Sequence, residues 1–191
     1  MYGGVEKTAE QKAADQTFID AVMKIDGDRK IGAEHLVQKG WQSFADGDSD
    51  TAMKRFNQAW LLDTQNADAF WGFGSIRASQ GKTEEGIAFL KQGLAINPRH
   101  VLLLCNLGML TVRNMSEKGT GSFDEAVTYF QHAQSIDSHQ AQCHANWAVA
   151  YFFHGDFADA WGQLHEAQKI DPKSVNESFL RDLSAKMSEP K

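Results

Sequence analysis

The chain has 191 residues, 42% hydrophobic and 23% charged, with 19 Lys and Arg against 25 Asp and Glu for a formal net charge of −6. That length suffices for one domain with a real core or for a short array of small units. The acidic surplus speaks against a general binder of nucleic acid or anionic membrane, and no apolar stretch approaches the ~18 residues of a membrane-spanning helix.

The first residues, MYGGVEKTAEQKAADQ, lack the apolar core of a secretory signal. A leader removed before Met1 would leave the same start, so the reading keeps both a cytoplasmic and a periplasmic or envelope-associated location open. Met1-Tyr2-Gly3-Gly4 reads as unstructured. Lys7 to Lys24 reads as a helix with Phe18, Ile19, Val22 and Met23 as its apolar stripe, and Asp26-Gly27-Asp28 breaks it.

A period of 34 residues then sets in. Gly40, Gly74 and Gly108 are 34 apart, as are Gly47 and Gly81, Ala52 and Gly86, Phe56 and Leu90, and Ala59 and Gly93. A six-residue insertion shifts the register once, after which Ala126, Phe130 and Ala133 recur 34 residues later as Ala160, Leu164 and Ala167. Each unit reads as two short helices joined by a tight turn at Gly47, Gly81 or Gly155. The recurring Ala and Gly suit helices that cross closely, and the large residues beside them fill the adjoining hole. Asp156 is a candidate helix cap, Ser122 and Glu125 a candidate capping box, and Pro98 and Pro172 stand where a second helix must stop. Gly86 and Gly93, standing where alanine is expected, either weaken their helix by ~1 kcal/mol each or admit a closer neighbour. The stretch Arg113 to Ser122, with Gly119 and Gly121, reads as an enlarged mobile turn, either a contact loop or a tolerated insertion. Ser174 to Met187 reads as a terminal helix that covers the last apolar edge.

These residues resemble the tetratricopeptide repeat. The resemblance rests on Leu36, Gly40, Gly47, Ala52, Phe56 and Ala59 in the first unit and on Phe70, Phe73, Gly74, Gly81, Leu90 and Pro98 in the second. Leu104, Leu107, Gly108, Ala126, Phe130 and Ala133 carry it in the third, and Trp147, Ala148, Tyr151, Gly155, Ala160, Leu164, Ala167 and Pro172 in the fourth. It implies an all-α, right-handed superhelical solenoid of four hairpins. The expected organisation is a tail and amphipathic helix at 1–32, repeats at 33–66, 67–100, 101–140 and 141–174, and a capping helix and tail at 175–191. It also implies a small bacterial protein that binds other proteins without catalysis, or alternatively an assembly module of an envelope or lipoprotein system or an accessory subunit of an enzyme.

In this family the first helices of successive units line the inner face. The resemblance places Val37, Trp41, Phe44, Trp71, Leu102, Cys105, Met109, Val112, Val149 and Phe152 there as partner-contacting residues. The face is mostly apolar. Asn106 and Asn146 match a common family asparagine, but Val37, Trp71, Cys105 and Ala145 stand where carboxylate-clamping members carry cations. The implied occupant is a segment of another protein, or else the chain's own helix around Phe18 to Met23.

Other chemistry finds little support. Gly81-Lys82-Thr83 mimics the end of a phosphate-binding loop, but Ile76 stands where its first glycine belongs. The histidines have no metal-ligand spacing. The acidic pairs Glu84-Glu85 and Asp124-Glu125 sit in first helical turns, where they complement the helix dipole. No cofactor, metal, nucleic acid or enzymatic activity is expected. Cys105 and Cys143 lack a CxxC arrangement and read as reduced packing residues, with pairing as the alternative.

Overall fold

The computed structural model describes residues 6–190, so the Met1–Gly4 stretch lies outside it. Among the described residues the chain forms ten α-helices and a short 3₁₀ turn. They are α1 (Ala9–Asp26), α2 (Arg29–Ala45), α3 (Ser49–Leu62), α4 (Ala67–Ser79) and α5 (Thr83–Ile96). Then come α6 (Val101–Lys118), α7 (Phe123–Ile136), α8 (Ala141–His154), α9 (Phe157–Ile170) and α10 (Glu177–Lys186). The pairs α2–α3, α4–α5, α6–α7 and α8–α9 are antiparallel hairpins, stacked in chain order into an all-α solenoid.

Local chemistry sets the helix ends. Gly27, Gly47, Gly81, Gly119 and Gly155 all have positive φ, a conformation that costs glycine little and lets the chain reverse. Asp28, Asp48, Asn66 and Ser122 accept a backbone N–H of the first turn of α2, α3, α4 and α7, satisfying donors that the helix leaves open. Two expected caps differ. Asp156 makes no side-chain cap, because its carboxylate lies 2.7 Å from His154 Nδ1 instead. Ser122 caps Glu125, but the Glu125 carboxylate faces Lys91 and Tyr129 and does not return to close a box.

The stack curves for a simple reason. Successive first helices touch one another, α2 with α4, α4 with α6 and α6 with α8, whereas the second helices pack chiefly on their own first helix and on the first helix of the next hairpin. The first helices therefore form the inner, concave layer. Glycine makes their approach possible. The ring of Phe56 lies where a Cβ on Gly40 or Gly72 would stand, and Leu90 and Phe130 fill the corresponding notches at Gly74 and Gly108. Gly93 of α5 likewise admits the next hairpin, since a Cβ there would lie 2.8 Å from Leu103 Cδ1.

Three further features depart from the sequence reading. The stretch expected as a mobile turn is mostly helix: α6 runs on to Lys118, and only Gly119 to Ser122 form the loop. Its Asn-Met-Ser-Glu-Lys segment tolerates helix, and Gly119, in the left-handed conformation, donates its N–H to Met115 O. The extra turns grip the neighbouring hairpin, with Glu117 accepting the Thr83 hydroxyl at 3.0 Å and Lys118 pairing with Glu84 at 2.8 Å. Secondly, Cys105 and Cys143 are not reduced: they form a disulfide between α6 and α8. Thirdly, α1 does not lie in the concave groove. It packs on α2 and α3 at the open end of the stack, with Phe18, Ile19 and Val22 against the first core cluster and Lys7 paired with Asp15. Gly32 admits Val22, whose Cγ1 takes the place that a Cβ would need.

At the other end α10 covers the last hairpin. Leu183 is fully buried against Trp161 and Leu164, and the Trp161 indole donates to Met187 O at 3.0 Å.

Candidate partner-binding face

The concave layer carries its side chains in two groups. In the N-terminal half, Trp41 of α2 and Trp71 of α4 meet across the seam between hairpins, ring centroids 4.0 Å apart. Trp41 also meets Phe44 and Phe56 edge-on. Both tryptophans are half-buried, yet the Nε1–H of each is buried without an acceptor. An orphan donor of this kind costs about 1–3 kcal/mol.

Beside Trp71 stands His100, centroids 5.9 Å apart. The Leu103 N–H donates to His100 Nδ1 at 3.1 Å, so Nδ1 is the bare nitrogen and Nε2–H donates to Asp68 Oδ1 at 2.9 Å. His100 thus caps α6 and engages the Asp68 carboxylate. The sequence reading did not single out this pair, though the signal was present: Asn66, 34 residues earlier, caps α4 in the same way.

In the C-terminal half, Met109, Arg113, Ser116, Glu117 and Phe153 line a hollow of about 280 Å³ between α6 and α8. Phe153 is 57% exposed. Arg113 does not offer a free charge, since its Nε donates to Glu117 at 2.7 Å and its Nη1 to Ala78 O at 3.0 Å. The Arg113 Nε bond, the largest cause, and the bond from Thr83 hold the Glu117 carboxyl below the usual glutamate range. The two charges at the hollow therefore offset each other.

The ten residues expected on this face divide by depth. Trp41, Phe44, Trp71, Leu102, Met109, Val149 and Phe152 are partly exposed. Val37, Cys105 and Val112 are buried beneath the surface, where Cys105 is committed to its disulfide. Phe152 turns toward Phe157 and Phe179, and its neighbour Phe153 is the more exposed of the two. The periodicity fixes a helix face only to within one position, which accounts for that exchange. Among the described residues no group of three or more His, Cys, Asp or Glu could hold a metal ion, and no helix is long and apolar enough to cross a membrane.

Residues 67–100, the whole of the second hairpin, match the tetratricopeptide repeat family model. The second hairpin is a tetratricopeptide repeat. Bacterial proteins are among the chain's structural neighbours. TTC0263 of Thermus thermophilus, itself a tetratricopeptide-repeat protein, is 20% identical with a TM-score of 0.71, over 82% of this chain and 84% of that one. PilF of Pseudomonas aeruginosa is 16% identical with a TM-score of 0.66, over 83% and 70%. YrrB, described as a tetratricopeptide-repeat protein with an unusual peptide-binding site, is 19% identical with a TM-score of 0.54, over 85% and 79%. These likenesses establish the fold. No curated protein matches this chain by sequence. The fold is in general a scaffold for protein–protein interaction.

Proposed function

We propose that the concave face holds a segment of a partner protein, with Trp41 and Trp71 anchoring one end and the Met109–Phe153 hollow the other. The observation that carries this reading is the Trp41–Trp71 contact. Two indoles sit half-exposed at 4.0 Å on the inner layer, each with a buried N–H that has no acceptor. Phenylalanine would fill much of the same space without orphaning a donor, so stability alone is a poor reason for tryptophan here. Large aromatic side chains, tryptophan above all, are among the residues that dominate binding energy in protein interfaces.

The charged groups beside these anchors are already engaged, Asp68 by His100 and Arg113 by Glu117. A terminal carboxylate would find no unengaged cation among these groups, which favours an apolar internal segment over a charged chain end. The peptide-binding description of YrrB is consistent with such use of the fold.

The test is affinity capture from native extract with the wild-type chain beside Trp71→Ser/Met109→Ser, after circular dichroism has established that the variant folds. A protein retained by the wild type and lost by the variant supports the groove. Equal capture of the same protein by both overturns it and moves the contact to another surface.

A further inference from the structure

The chain has two cysteines, and the structure joins them. Cys105 lies on α6 of the third hairpin and Cys143 on α8 of the fourth, with a sequence separation of 38. Neither is accessible: Cys105 is 1% and Cys143 6% exposed, inside a core cluster with Leu104, Val112, Phe130 and Trp147. The bond therefore spans two units, and those units bury it.

That arrangement constrains when the bond can form. The sulfurs come together only as α8 docks on α6. Once docking is complete, the surrounding side chains leave no approach for an external disulfide, and thiol–disulfide exchange needs a thiolate to reach a sulfur directly. Oxidation must therefore precede the final closure of the third and fourth hairpins. In a reducing cytosol the pair would arrive there as a dithiol, because disulfides persist chiefly in oxidising compartments.

We infer that the protein folds in an oxidising compartment, where a disulfide donor acts on it before the two hairpins close. The thiolate of one cysteine attacks a sulfur of the donor's disulfide, forming a mixed disulfide and releasing the donor's other sulfur as a thiolate. The thiolate of the second cysteine then attacks the protein-side sulfur and expels the donor. The two cysteines lose two electrons and two protons in total, and the donor leaves as a dithiol or as two thiols. A thiol–disulfide oxidoreductase or glutathione disulfide has the required chemistry. The result is a sealed structural bond: folded chain does not exchange it.

Two measurements test this. In the first, source cells are quenched in acid and the denatured proteins alkylated with a maleimide carrying polyethylene glycol, then probed for the chain. The expected pattern is no added mass without prior reduction and two additions after it. Two additions without reduction would show that the pair stays a dithiol in the cell and overturn the inference. In the second, purified reduced chain is refolded with glutathione disulfide present either from the start or only after folding is complete. Oxidation is expected to be slower by roughly tenfold or more in the late addition, since access governs exchange. Equal rates would overturn the required order of oxidation before closure.

Discussion

Phe56 of α3 occupies the notch left by two glycines on consecutive first helices: a Cβ on Gly40 would lie 2.7 Å from its ring, and one on Gly72 2.5 Å. The ring is fully buried and has no room to retreat. Gly72→Ala is expected to destabilise the protein by about 1–3 kcal/mol through overpacking. Gly162→Ala is the control, because nothing lies within 4 Å of its Cβ position on α9. That change should stabilise by up to ~1 kcal/mol from helix propensity. Urea melts of both variants decide the matter, and a neutral Gly72→Ala would show that the seam is looser than its geometry.

The orphaned indole donors give a second expectation. Trp71→Phe removes a buried N–H that has no acceptor while keeping an aromatic ring at the seam. Its thermal midpoint should stay close to that of the wild type, since relief of the donor offsets the lost contact area. Trp71→Ala should lower it clearly, by the loss of a large side chain beside Trp41. If both substitutions destabilise to the same degree, the indole N–H carries no penalty.

Removing the disulfide should weaken the fold without changing it. Closing a loop with a sequence separation of 38 restricts the unfolded chain by about 4 kcal/mol in the chain-entropy account. Cys105→Ala/Cys143→Ala should show a fall of that order in denaturant melts, with its circular dichroism unchanged. A loss below about 1 kcal/mol would mean that the reduced chain is already held together by other contacts.

Glu117 supplies a pH dependence. Its bonds from Arg113 and Thr83 favour the carboxylate and depress its folded pKa. A depressed acid adds stability that is fully present above the unfolded glutamate value and is lost as pH falls through the lower folded value. The thermal midpoint of wild type should therefore exceed that of Glu117→Ala at neutral pH, and the gap should narrow in acid below the usual glutamate range. A gap of constant size across that window would assign the effect to packing of the side chain.

The four hairpins were legible because a 34-residue spacing of small and large residues is a direct record of helices crossing at fixed intervals. Gly74 and Gly108 carry that record, and the structure shows Leu90 and Phe130 filling their notches. The insertion was harder to read. Its glycines, Gly119 and Gly121, mark where α6 ends and the loop begins, but nothing in Asn114 to Lys118 distinguishes a long turn from added helix until Glu117 and Lys118 find Thr83 and Glu84. The disulfide was invisible for a related reason. Cys105 and Cys143 belong to different units, so their distance depends on how hairpins stack, which spacing along one helix does not specify. On the concave face, the first-helix positions followed from the repeat, whereas the meeting of Trp41 with Trp71 depends on side-chain directions across the seam.

The bond between α6 and α8 also decides how the molecule would respond to tension. A solenoid pulled from its ends peels away unit by unit, and each unit adds its full contour to the extended chain. Here the path of force runs from Cys105 directly to Cys143, bypassing the residues between them. Those residues bear no load, and the fully stretched oxidised chain is shorter than the reduced one by about 125 Å. The stretch between Cys105 and Cys143, which holds most of α6 and all of α7, is thus the portion of the array that pulling on the termini cannot draw out.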